Sequence, residues 1–166
     1  MAEPFKWAGK SHSRLQMEAA AKTRRRATKP SKFGLIIPAG SEDEIQATFI
    51  EWVDLNKKKH PVLDLIFAIP NAGFASKKQG ALRKLTGRRK GVPDINIPVG
   101  VRSDGQVIGT LGLWIEFKVP GEKPTKEQLE WHERLRAANQ RVEVCESWIE
   151  AANIVIEYLG LKLEKL

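Results

Sequence analysis

The stretch Gly91–Lys118, GVPDINIPVGVRSDGQVIGTLGLWIEFK, decides how the rest of the chain is read. It holds two apolar segments joined by a turn. Asp94 follows Pro93 at the start of the first, and Glu116 and Lys118 sit one residue apart in the second. If both segments are strands, side chains alternate between faces. Leu113, Ile115, Phe117 and Val119 then share one face, and Trp114, Glu116 and Lys118 the other. In the first segment Ile95, Ile97 and Val99 oppose Asp94, Asn96 and Pro98. Pairing the strands brings Asp94 close to Glu116 and Lys118.

Charged groups at the edge of a buried sheet are costly to desolvate unless they are paired or bind a metal. Two carboxylates supply hard oxygen ligands suited to Mg²⁺ or Mn²⁺. A lysine beside them can orient or deprotonate an attacking water and stabilise charge developing on a phosphate. The same acid-x-Lys triplet also fits an ordinary ion pair on an edge strand, and spacing alone leaves both readings open.

The basic residues are unevenly spread. The whole chain of 166 residues carries a formal charge of +8. Residues 1–40 hold nine Lys or Arg against two acids, and residues 57–90 hold ten against one, leaving the remainder acidic on balance. Such clusters beside a carboxylate site suit a polyanion, and any attraction to it would depend on salt. Within the second cluster, Lys77, Lys78, Arg83, Lys84, Arg88, Arg89 and Lys90 are assigned to contacts with a nucleic-acid backbone. Arg24, Arg25 and Arg26 read either as a basic arm that grips phosphates or as a disordered basic tail that orders on DNA or a partner, and Asn71, in the turn Pro70–Gly73, is placed to bind a phosphate or to hold its loop.

Composition bounds the class. A content of 42% hydrophobic and 29% charged residues is that of a globular α/β domain. One cysteine, Cys145, excludes a disulfide framework and a cysteine-rich zinc site, and its apolar run reads as buried core. No apolar run is long enough to span a bilayer, and the N-terminus lacks the apolar centre of a signal peptide. The expectation is a soluble cytoplasmic protein, bacterial or in a phage-infected cell, with no membrane partner.

Around the central stretch, residues 1–40 read as a basic arm and linker and residues 41–166 as the globular domain. Ser41 is placed to cap a helix over Glu42–Lys58, whose stripe of Ile45, Phe49, Trp52 and Val53 also takes Glu42 inward and leaves Glu44 outside. Val62–Ile69 has the composition of a strand. Arg102–Gln106 reads as a hairpin turn, with Asp104-Gly105 at its tip. Thr125-x-x-Gln128 has the form of a capping box for a helix reaching about Asn139, in which Trp131, Leu135 and Ala138 face the core and His132 the surface. Arg141–Cys145 reads as a last strand and Ser147–Leu159 as a last amphipathic helix. The tail Gly160–Leu166 is read as packing on the domain or joining a dimer.

The order Ser41-Glu42 before Ile45-Gln46, then Ile69-Pro70-Asn71, Gly91-Val92-Pro93-Asp94, Ile115-Glu116-Phe117-Lys118 and Thr125-x-x-Gln128 resembles the VRR-NUC branch of the PD-(D/E)xK nucleases. The resemblance covers about residues 41–158. It implies a mixed central sheet flanked by helices, a restriction-endonuclease-like core. It further implies a divalent-metal-dependent DNA endonuclease that uses Mg²⁺ or Mn²⁺, with Glu42, Asp94, Glu116 and the Phe117 carbonyl as ligands. Lys118 and Gln128 would position the water. Glu42 also fits simple complementation of a helix dipole, and Gln128 closure of its own helix end. Stand-alone relatives resemble homodimeric resolvases of branched DNA; flap-directed or nick-directed cleavage, or a non-catalytic basic module binding duplex, are the alternatives.

Overall fold

The structure, a computed structural model, describes residues 37–70, 82, 85–103, 106–107 and 109–166. The chain packs as two compact units, Met1–Glu44 and Ile45–Leu166. In the first, the described residues 37–44 form a turn and a helix start. Ser41 Oγ accepts the Glu44 N–H at 3.2 Å, the cap expected of it, and the Glu44 carboxylate folds back to take the Gly40 N–H. That reciprocal bond buries Glu44 more than Glu42, the reverse of the helical-wheel expectation. The helix, α1, runs Glu42–Asn56.

In the second unit, four strands form a mixed sheet in the order β1-β2-β5-β6: β1 (Phe67–Ala68), β2 (Ile95–Ile97), β5 (Leu113–Phe117) and β6 (Arg141–Cys145). A separate two-stranded ribbon, β3 (Arg102–Ser103) with β4 (Gln106–Val107), lies between β2 and β5 in the chain. The hairpin thus belongs to this ribbon, not directly to the central pair; the Asp104-Gly105 tip lies outside the described residues. β2 and β5 pair antiparallel with Ile95 opposite Ile115. β5 and β6 run parallel, a pairing that needs a crossover, and α2 (Lys126–Ala137) supplies it.

Alternation along β5 separates two environments. Leu113, Ile115 and Phe117 are fully buried and share one core with Phe49 of α1 and with Ala152, Val155 and Ile156 of α3 (Trp148–Leu159). The Phe49 ring lies 5.7 Å from that of Phe117 and 5.8 Å from Trp52. Burying each such side chain contributes about 1.5–3 kcal/mol. Cys145 lies in this core, where burial raises its thiol pKa, so it behaves as a small hydrophobe. The opposite face of β5 carries Trp114 and Glu116, and Gln128 and His132 of α2 lie against Glu116.

Two expectations change, and the tail takes the first of its two expected places. The strand expected over Val62–Ile69 is a 3-10 helix, Pro61–Leu65, followed by the two-residue β1. Pro61 fixes φ at the first helical position, and the Leu63 and Ile66 N–H groups bond to His60 and Leu63 carbonyls, which leaves little extended chain. His132 is buried, not a surface residue, whereas Trp131 and Leu135 are only half-buried and Ala138 is exposed. The tail folds back on its own unit: Leu161 and Leu163 pack on the core, and the Leu166 N–H bonds to Asn153 Oδ1 at 2.8 Å. Among the described residues no helix is long and apolar enough to cross a membrane.

Candidate active site

β5 delivers Glu116 and Lys118, and β2 is preceded by Asp94. Extending the Ile95–Ile115 register by one pair sets Asp94 opposite Glu116. Paired residues in an antiparallel ladder project from the same face. Asp94 Oδ2 accepts the Phe117 N–H at 2.8 Å, which ties the start of β2 to the end of β5.

Glu116 is fully buried, and Lys118 is 5% exposed. Lys118 Nζ lies 3.0 Å from Glu116 Oε1 and donates to the Phe117 carbonyl at 2.7 Å. Gln128 Nε2 donates to the same Oε1. Two nitrogen donors therefore converge on one carboxylate oxygen. An ordinary edge-strand pair would be solvated and worth little. This one is enclosed, so removing either partner leaves a charge where water does not reach it.

Gln128 takes the cap position that Thr125-x-x-Gln128 predicts, and its amide also reaches Glu116. Its Oε1 accepts the Thr125 N–H at 2.8 Å, and its own N–H bonds Thr125 Oγ1 at 3.4 Å, closing a capping box at the start of α2. The amide nitrogen is left for Glu116. The helix cap thus orients a side chain of the site. Thr125→Ala is expected to cost about 1 kcal/mol of stability, read as a lower urea midpoint, because it removes the cap acceptor.

The loop before Asp94 docks on the same helix end. Lys90 Nζ pairs with Glu127 at 2.6 Å, the Lys90 carbonyl accepts the Trp131 indole N–H at 3.0 Å, and Gly91 lies against the backbone of Glu127 and Gln128. The Lys90 ammonium holds the Glu127 carboxyl below its ordinary pKa. Arg88 and Arg89 are exposed on this loop. Asn71, Lys77, Lys78, Arg83, Lys84 and Arg24–Arg26 lie outside the described residues.

His132 was not among the expected site residues. It follows Gln128 by one helical turn and is 1% exposed, with Nε2 3.9 Å from Glu116 Oε2. Burial lowers its pKa, and Arg136 and Lys118 push the same way, which favours the neutral imidazole. The i, i+4 spacing from Gln128 was the available signal, because it places both on one helix face.

Asp94, Glu116 and the Phe117 carbonyl offer only oxygen, which suits a hard divalent ion over zinc. Among the described residues, no group of three or more His, Cys, Asp and Glu is placed to hold a metal. Glu42 opens α1 in the unit Met1–Glu44. The Phe117 carbonyl already accepts from Lys118, so ligation there competes with that ammonium.

The VRR-NUC domain profile matches residues 37–148. The chain belongs to the VRR-NUC domain family. Members of this family are generally nucleases. A solved structure of a VRR_NUC domain protein is 25% identical and superposes with a TM-score of 0.58, covering 72% of this chain and 88% of that one. No curated protein matches. The sheet and its flanking helices in this VRR-NUC chain are consistent with a restriction-endonuclease-like fold, as the sequence implied.

Proposed function

We propose that this VRR-NUC chain is a divalent-metal-dependent DNA endonuclease that selects branched DNA, cutting it as a homodimer. The observation that carries the reading is the convergence of Lys118 and Gln128 on one oxygen of buried Glu116, with Asp94 on the adjacent strand. A helix-covered carboxylate–lysine pair is expensive in a protein that only binds. It has a use where a phosphodiester is hydrolysed.

In this reading Asp94 and Glu116 hold Mg²⁺ or Mn²⁺, with Glu42 and the Phe117 carbonyl completing the protein ligands as the family resemblance implies. When bound, such an ion supplies Lewis-acid stabilisation of charge on the phosphate. Lys118 orients the attacking water and stabilises the oxygen on which negative charge builds. Gln128 holds the Glu116 carboxylate in register and helps place that water. Arg88, Arg89 and Lys90 contact the DNA backbone without reading sequence, and the same role is assigned to Lys77, Lys78, Arg83, Lys84, Arg24, Arg25, Arg26 and Asn71. A two-fold pair of sites suits symmetric cutting of a four-way junction. The single buried cysteine suits a reducing, cytoplasmic compartment.

The test is cleavage of labelled four-way junction, 5′-flap, nicked and linear duplex DNA with Mg²⁺, Mn²⁺ or EDTA. Paired symmetric cuts in the junction that EDTA abolishes are expected. Preferential cutting of flap or nick keeps the nuclease and discards the resolvase. Retained, salt-sensitive binding with no cleavage of any substrate by either metal leaves a basic binding module instead.

A further inference from the structure

The two oxygens of Glu116 face different side chains. Its Oε1 takes Lys118 and Gln128, while its Oε2 faces the imidazole of His132. His132 is as enclosed as the carboxylate itself, and its Nε2 has no hydrogen-bond partner among the described residues. A ring N–H in such a place is costly unless it meets an acceptor. A leucine would fill the space without that cost, so the nitrogen is the feature to be explained. Glu116 Oε2 lies 3.9 Å from it, about 1 Å beyond a hydrogen bond, so the two must approach by that much for the bond to form.

We propose that His132 is a positioning residue for Glu116: its Nε2–H serves Oε2 and fixes the plane of the carboxylate that faces the metal. This rests on the metal-nuclease reading above. Lys118 and Gln128 act on one oxygen, and a donor on the second oxygen adds a restraint on the plane of the carboxylate. Partners of this kind around a ligand group typically change metal affinity by about 10–100-fold when lost. α2 therefore carries two supports for one carboxylate, Gln128 and His132, one turn apart on one face.

The test is Mn²⁺ binding to the full chain by calorimetry, comparing wild type, His132→Leu, His132→Gln and Asp94→Ala, with urea midpoints measured alongside. His132→Leu is expected to weaken Mn²⁺ binding about 10–100-fold with its fold retained, and His132→Gln, which keeps an N–H, to recover most of the loss. Wild-type affinity in His132→Leu overturns the proposal. So does an equal loss in the Leu and Gln variants, which would mark His132 as packing alone.

A second readout needs no metal: long-range ¹H–¹⁵N spectra, with His132 assigned by its loss in His132→Gln. The proton is expected on Nε2, and a proton on Nδ1 alone also overturns the proposal. If wild type takes up no Mn²⁺, the metal reading fails and this inference falls with it. If wild type binds, Asp94→Ala does not and His132→Leu does, only the His132 proposal fails.

Discussion

Lys118→Met is expected to lower the rate of DNA cleavage by about 10²–10⁴-fold while duplex binding stays nearly unchanged. The side chain is enclosed at the site and contributes little to the exposed basic surface, so its loss falls on the chemical step and not on attraction to the phosphate backbone. Single-turnover cleavage beside a binding titration separates the two. A variant that cuts within a few-fold of wild type would remove Lys118 from the mechanism.

The same substitution has a stability signature. Glu116 keeps the Gln128 amide but loses the ammonium 3.0 Å away, in a place water does not reach. Breaking one partner of a buried pair costs about 3–5 kcal/mol. Removing both charges at once, in Lys118→Met with Glu116→Leu, is expected to restore most of that loss, because apolar replacements of a buried pair are often neutral or stabilising by about 1–4 kcal/mol. The double variant should be inactive and at least as stable as the single one. Urea denaturation of the two reads this directly, and a double variant less stable than the single one would show that the pair is not a desolvated charge pair at all.

Gly91→Ala is expected to destabilise the protein by about 2–4 kcal/mol, combining the strain of a side chain in the left-handed region with overpacking. Gly91 has φ +83°, and a Cβ there would lie 2.7 Å from the carbonyl carbon and oxygen of Glu127 and 2.9 Å from the Gln128 nitrogen. These are backbone atoms at the first turn of α2, so no side chain can swing aside. Relief requires the Lys90 loop to lift from the helix. That movement would stretch the Lys90–Glu127 pair and the Trp131 bond, and would shift Asp94 relative to Gln128.

Gly87→Ala is the control. Gly87 has φ +87° but nothing within 4 Å of its Cβ, so only the conformational cost, about 1–2 kcal/mol, is expected. The difference between the two variants isolates the contact with α2. Equal urea midpoints for Gly87→Ala and Gly91→Ala would refute the docking argument. Cleavage should fall in Gly91→Ala and hold in Gly87→Ala.

Much of the arrangement around Glu116 is legible in the sequence. Period two along Leu113–Lys118 put Glu116 and Lys118 on one face, and Thr125-x-x-Gln128 announced its own cap. Both depend on residues a few positions apart, where backbone geometry alone sets the relation. Where a local rule met a competing local interaction, the reading slipped. The apolar composition of Val62–Ile69 says nothing about the torsion that Pro61 imposes, and the α1 wheel does not register a Glu44 carboxylate that turns back to Gly40.

What the sequence by itself determined was the sheet-and-helix order, the acid–lysine face of β5, the cap of α2 and the family. What only the tertiary structure decided was which side chains share an oxygen. Gln128 reaches Glu116 across 12 residues and the Lys90 loop reaches Trp131 across 41, contacts set by how α2 lies on the sheet. His132 shows the reason most plainly. In sequence it is one polar residue in a charged helix, and only the covering of Glu116 by α2 turns that position into the interior, where desolvation makes every polar atom matter.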